Sequence, residues 1–255
     1  MTIAGQNAVS IKVIANYEDL MNTIVNNEEL FTNIVRSESA LKICLEIPQF
    51  ADAILKSETA MNVMATKIEA IEILCTYFND IQKSANSLEE IYASLEEIRQ
   101  NKDDLYNDEI FMDSLLEAEK EILEALEQIE NATNTANLTL NVINKILTNK
   151  EFCLKVAANN NIVESIAKNE QLLNAFLNPN IPTGIEAFVE TQTALEILTS
   201  NEVSAKLIAQ NEVFLREVLN SDNKGEYGNL LAENAFVGDA AVIRAALLLY
   251  PTPGA

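Results

Sequence analysis

The sequence predicts an all-α protein in which segments of short, repeated, solenoid-like helices flank a long heptad-patterned helix or helical hairpin. Three observations support this fold class. The 255 residues include only 6 Gly and 5 Pro, too few for the many tight turns of an all-β chain of this length, where positive φ favours Gly. A ten-residue pattern recurs in both halves of the chain, and a seven-residue pattern occupies its middle.

The first repeat block covers residues 1–83. Four units of ten residues run in register at 26–35, 36–45, 46–55 and 56–65, and a weaker fifth unit follows with Ala70, Ile71, Leu74 and Cys75. The consensus has Asn, Ser or Thr at position 0, often Glu at position +1, and apolar residues near positions +3, +4, +7 and +8. Weaker copies extend back to about residue 13.

The second repeat block covers residues 149–220. Its first three units are led by Asn149, Asn159 and Asn169. The segment 178–190, which contains Pro179, Pro182 and Gly184, interrupts the frame. The frame resumes with units led by Thr191, Asn201 and Asn211.

Each feature of the repeat has a role in a short helix. Asn and Ser side chains at position 0 accept a hydrogen bond from an N–H of the first helical turn. Glu at position +1 lies at the positive end of the helix dipole, and Pro48 takes that first-turn place where its missing N–H costs little. The apolar spacing places one stripe along two turns, so each unit is predicted to be one short helix.

A single continuous helix does not fit this period. Ten residues rotate the stripe by about 80° relative to its starting direction, so a straight helix would lose its apolar face within two or three units. The recurring caps therefore predict a chain of short helices with a kink between them, as in a thin solenoid in which every unit packs only on its neighbours. The alternative is an ordinary helical bundle whose spacing matches ten by coincidence.

The middle segment, 84–148, has a heptad pattern instead. Leu88, Ile91, Leu95 and Ile98 alternate steps of three and four, and a second apolar set recurs every seven residues at Leu115, Ile122, Ile129, Ala136 and Ile143. We expect a turn within 100–108 and a long helix from about 108 to 147. Its stripe is covered either by the preceding helix, folded back as a hairpin, or by identical helices of other subunits. The last segment, 221–255, reads as a linker, an apolar helix near 234–249 and a tail.

The charge of the chain disfavours several classes of partner. There are 39 acidic and 17 basic residues, a formal net charge of −22, which repels nucleic-acid phosphates and acidic membrane surfaces. The sequence has no apolar run of about 18 residues and no leader pattern. We therefore expect no nucleic acid and no membrane among the partners.

The residues of this chain do not form a recognisable catalytic set. The sequence has no His, the commonest general base and metal ligand, and none of the common phosphate-loop, nucleophile-elbow or zinc-helix motifs. Cys44, Cys75 and Cys153 read as small buried hydrophobic residues. We therefore expect a protein that is not an enzyme, without catalytic, cofactor-binding or metal-binding residues, without a cofactor and without a small-molecule substrate.

The repeats resemble those of virion structural proteins of tailed bacteriophages, of the fibre, tail or head-decoration type. These proteins often carry degenerate ten-residue strings of the form Ser-x-Thr-Ala-Met-x-x-Val/Ile-Ala, and residues 56–65 (Lys-Ser-Glu-Thr-Ala-Met-Asn-Val-Met-Ala) match best. The resemblance covers a little over half of the chain. It implies a non-enzymatic virion component that forms a homo-oligomer, with a trimer favoured, and docks to other virion proteins. The alternative is a cytoplasmic helical adaptor whose repeats bind a partner protein.

Overall fold

The structure, a computed structural model, describes residues 8–100 and 112–221. Over these residues it contains fifteen α-helices and no strand, which confirms the all-α prediction. The first six are short: α1 (Ala8–Ile14), α2 (Glu18–Val25), α3 (Glu28–Val35), α4 (Glu38–Glu46), α5 (Pro48–Lys56) and α6 (Glu58–Thr66). Two long helices follow, α7 (Ile68–Gln100) and α8 (Met112–Leu147). Seven further short helices are α9 (Lys150–Ala157), α10 (Asn160–Ala167), α11 (Glu170–Phe176), α12 (Thr183–Glu190), α13 (Gln192–Ser200), α14 (Glu202–Gln210) and α15 (Glu212–Asn220).

One repeat unit corresponds to one short helix, as the caps predict. The residue at position 0 precedes the helix, and its side chain accepts a hydrogen bond from a first-turn N–H. This bond is made at Asn27, Ser37, Ser57, Asn149, Asn159, Asn169, Asn201 and Asn211. Pro48 is the first residue of α5, whereas Thr191 precedes α13 without a side-chain cap. Helix α1 extends the repeat, within the described residues, back from residue 13 to Ala8.

The short helices are stacked three to a turn. Helices α1, α2 and α3 pack on α4, α5 and α6, and the same spacing of three joins α9 to α12, α10 to α13, α11 to α14 and α12 to α15. The prediction that each unit packs only on its neighbours in the chain was therefore wrong. Each helix carries two apolar rows, positions +3/+7 and +4/+8, so contacts with sequence neighbours leave apolar surface for helices of adjacent turns to bury.

The two repeat blocks belong to one compact unit. Helix α6 packs on α9, and the described residues 8–77 and 142–221 cluster together. Residues 68–77 of α7 and 142–147 of α8 take the two helix positions between α6 and α9. They keep the apolar repeat frame, with Ile71, Leu74, Ile143 and Ile146 fully buried. We call this part the solenoid unit.

Tyr77, the last residue of the solenoid part of α7, contacts α4. Its hydroxyl donates a hydrogen bond to Glu46, and the Lys42 ammonium lies 4.8 Å from the centroid of its ring. Burial and then the hydrogen bond to Glu46 raise the pKa of Tyr77 well above its ordinary value, so the phenol stays a donor at neutral pH.

The expected interruption at 178–190 is largely helical. Helix α12 occupies its second part and packs on α9, with Ile185 and Phe188 buried. The rings of Phe176 and Phe188 are 5.7 Å apart, centroid to centroid. The departure from the repeat is therefore confined to the connection 177–182.

The remaining described residues, 78–100 and 112–141, form a second compact unit, here called the two-helix unit. Its first helix was expected to begin near Ser84, but α7 runs without a break from Ile68, since no Gly or Pro interrupts it. Tyr92 of α7 and Asn134 of α8 line the same cleft, so the two helices lie side by side within one chain at this level. The turn expected within 100–108 falls mainly outside the described residues, as does the C-terminal segment 222–255.

Side-chain bonds between turns give a stability prediction at Asn211. This residue caps α15 through Phe214 N–H, and its Nδ2 donates to the Leu177 carbonyl at 2.6 Å. Asn201 caps α14 in the same way. We expect Asn201→Ala to lower the free energy of unfolding by about 1 kcal/mol and Asn211→Ala by about 2 kcal/mol, since it also removes the bond between turns. Urea titrations measure both, and equal losses would contradict a role for the Leu177 contact.

Candidate functional site

The described residues offer little for covalent or metal chemistry. No group of three or more His, Cys, Asp and Glu side chains in them is placed to hold a metal ion. The three thiols, Cys44, Cys75 and Cys153, are all buried in the solenoid unit. Burial raises the pKa of the Cys153 thiol to about 12 and that of the other two further still. These thiols are therefore protonated at neutral pH. Their burial confirms the prediction that they are small buried hydrophobic residues.

The solenoid unit has two open clefts at equivalent places in consecutive repeats. One, of about 400 Å³, lies between α10 and α13 and is lined by Glu164, Ile197 and Asn201, among others. The second, of about 490 Å³, lies between α11, α14 and α15, with Leu207 and Asn211 in the corresponding positions. Each cleft thus combines an apolar side chain at position +6 with the Asn that caps the next helix.

A smaller cleft of about 240 Å³ marks the junction of the two repeat blocks. It lies between α5, α6 and α9, and its lining includes Met61, Phe152, Lys56 and Lys155. Both lysines are held in place by carboxylates one helical turn away, at 2.6 Å for Lys56 and 2.8 Å for Lys155. The lining charges are already balanced within the chain, so this cleft has no evident preference for a charged ligand.

The two-helix unit exposes large apolar side chains. Leu126 and Ala85 are each 5% exposed and so form part of its interior. By contrast, Ile91 of α7 is 49% exposed and Leu123 of α8 is 43% exposed. Tyr92 is 37% exposed. The heptad positions Ile122 and Ile129 are half-buried, so the seam predicted from the sequence is only partly covered within one chain.

A second exposed apolar surface lies on the first turn of the solenoid. Val13 of α1, Tyr17 before α2 and Leu20 of α2 are 53%, 57% and 49% exposed. We call these three residues the first-turn surface. The sequence did not single out Leu20, because a stripe residue in the first turn has the same spacing as one in the middle of the stack.

No described helix is long and apolar enough to span a membrane. No family model and no curated protein matches the chain. The class of protein is therefore defined by the fold itself: an α-helical solenoid of ten-residue units, three to a turn, with a two-helix unit inserted in the chain between its seventh and eighth helix positions.

Proposed function

We propose that this protein is a non-enzymatic structural subunit that assembles with copies of itself and docks to other proteins, in the manner of a fibre, connector or decoration subunit of a bacteriophage virion. The observation that carries this proposal is the apolar surface of the two-helix unit. Ile91, a position of the heptad pattern, is exposed there, and the heptad positions Ile122 and Ile129 are only half-buried. Uncovered heptad positions are the usual basis for association of helices into closed bundles.

The exposed residues support association rather than a loosely packed monomer. Ile91 and Leu123 lie on different helices, and the interior between those helices is already formed by residues such as Leu126. Exposed apolar side chains on a pair of helices are typically covered by a further helix. A further helix from another subunit would remove them from water, at about 25 cal/mol for each Å² of apolar area buried.

The virion setting rests on the resemblance of the ten-residue units to those of phage structural proteins. A repeated solenoid of short helices suits such a setting, because it holds distant surfaces at fixed separations without an enzyme's pocket. A trimer is the oligomer that we favour. Virion localisation, with assembly in the host cytoplasm, belongs to the same proposal.

The test is the mass of the purified protein in solution, measured by light scattering. We expect a closed oligomer for the native chain and a smaller species for the double variant Ile91→Asp/Leu123→Asp. The matched control is Ser94→Asp/Asn131→Asp, which adds the same charge at exposed polar positions of the same two helices and should keep the native mass. If the Ile91→Asp/Leu123→Asp variant has the same mass as the control variant, assembly through this surface is contradicted.

A second candidate function is that of an adaptor that binds a partner's extended peptide along the solenoid. The observation in its favour is the pair of equivalent clefts, which places Ile197 and Leu207 one repeat apart with Asn201 and Asn211 beside them. Equivalent clefts one repeat apart suit an extended peptide. Its alternate side chains can enter successive clefts, and its backbone amides can bond to the Asn side chains beside them. A native chain that is monomeric, with a mass unaffected by either double variant, would favour this function.

A further inference from the structure

The two-helix unit has a cleft between its helices that their own side chains do not fill. It has a volume of about 360 Å³. Glu89 and Tyr92 line it from α7, and Glu130, Thr133 and Asn134 line it from α8. Both glutamates are exposed. The cleft therefore brings one carboxylate from each helix to the same place, beside an aromatic ring.

The two carboxylates of this cleft have no cation from their own chain. Among the described residues, neither Glu89 nor Glu130 takes part in an ion pair. The segments 78–97 and 120–141 contain nine acidic and two basic residues, and neither basic residue lines the cleft. The cleft therefore carries negative charge that its own lining does not balance.

Apolar side chains lie in and beside the same cleft. Tyr92 is 37% exposed, and Leu138 of α8 is 56% exposed. Leu138 follows Asn134 by four residues, a spacing that places both on one face of the helix. A tyrosine ring attracts a cation to its face, and carboxylates accept strong hydrogen bonds from Lys and Arg. The lining thus fits a cationic side chain that has apolar neighbours.

Charge complementarity distinguishes between the possible occupants. A second copy of the two-helix unit would bring more carboxylates, and like charges across an interface oppose association. A basic segment would bring the missing cations. The surface between two packed helices suits a third, amphipathic helix, which lays its apolar face against exposed apolar side chains. A basic amphipathic helix therefore meets both the charge and the shape of this site.

We infer that this cleft is the docking site for a basic amphipathic helix of another protein. A Lys or Arg side chain of that helix lies between Glu89 and Glu130, against the ring of Tyr92, and its apolar side chains cover the exposed apolar residues beside the cleft. The inference rests on the proposed function, in which the subunit docks to other proteins, and it gives the chemistry of the docking partner. Ile91 and Leu123, through which copies are proposed to assemble, do not line this cleft.

The probe is a fluorescein-labelled amphipathic helical peptide of Leu and Lys, whose binding to the native protein is followed by fluorescence anisotropy. Glu89→Gln/Glu130→Gln should raise the dissociation constant at least about tenfold, because both carboxylates that hold the cation are lost. Glu90→Gln/Glu127→Gln is the matched control. It removes the same charge from exposed positions of the same helices outside the cleft and should raise the dissociation constant less than about twofold.

Several results would overturn the inference. A native chain that does not bind the peptide would do so, as would equal losses in the two double variants, because binding would then follow overall charge. Equal affinity for the same peptide with Glu in place of Lys would exclude selection by charge. Release of the peptide as the protein concentration and the mass rise together would assign the cleft to a second copy.

Light scattering on the same samples separates this inference from the proposed self-association. A native chain that forms the closed oligomer but does not bind the peptide would reject the docking cleft alone. A monomeric native chain whose peptide binding depends on Glu89 and Glu130 would support the docking cleft and contradict self-association.

Discussion

Phe152→Ala is expected to lower the free energy of unfolding by about 3–5 kcal/mol, the range for removing a buried phenylalanine side chain. Phe152 is 1% exposed and lies in α9, the helix that packs on both α6 and α12. It also lines the junction cleft together with Met61 of α6. The ring therefore lies where the first repeat block meets the second, and its loss leaves a cavity between them.

The shape of the unfolding transition of Phe152→Ala is as informative as its midpoint. If the two repeat blocks share one core, urea denaturation monitored by circular dichroism should show the helices of both blocks unfolding together. The midpoint should lie at a lower urea concentration than that of the native protein. Phe152→Leu preserves most of the volume and should cost less than about 1.5 kcal/mol. A variant that loses only part of its helix signal in an early, separate step would contradict a shared core.

Gly184→Ala is expected to destabilise the solenoid unit by about 2–3 kcal/mol. A Cβ atom on Gly184 would overlap the backbone oxygen of Phe176 and would lie 3.2 Å from its carbonyl carbon. The obstacle is main chain rather than the end of a flexible side chain, so α11 and α12 must move apart to accept one methyl group. That movement would also disturb the contact between the Phe176 and Phe188 rings.

The control for Gly184 is the preceding residue. Thr183→Ala removes atoms from a half-buried position in the same helical turn and should change the free energy of unfolding by no more than about 0.5 kcal/mol. Thermal unfolding of both variants gives the comparison. A Gly184→Ala protein as stable as the native one would mean that α11 and α12 are not held at this close approach.

The helices themselves were predictable from local chemistry. An Asn or Ser at position 0 followed by Glu determines where a short helix begins, and this information is contained in five or six neighbouring residues, as at Asn27 and Ser57. Gly184 was noticed only as part of an interruption. A residue without a Cβ is needed there because the backbone of Phe176 lies so close. That close approach depends on how two helices pack and not on sequence spacing.

The arrangement of the helices was not predictable in the same way. A stripe residue such as Ile71 must be buried, but its spacing does not identify the helix that buries it. The three-helix turn and the contact of α6 with α9 depend on the angle between successive helices, which no single residue sets. For the same reason the sequence did not distinguish Leu20, which is exposed, from Phe50, which is buried in an equivalent position.

The most direct test of the continuous solenoid is a chemical cross-link between Lys56 and Lys155. Both side chains line the junction cleft although they belong to different repeat blocks. A short amine-reactive cross-linker, followed by mass spectrometry on a mixture of isotope-labelled and unlabelled chains, should join these lysines within a single chain, and Lys56→Arg should remove the link. Cross-links confined within each block, or a Lys56–Lys155 link only between chains, would contradict the account.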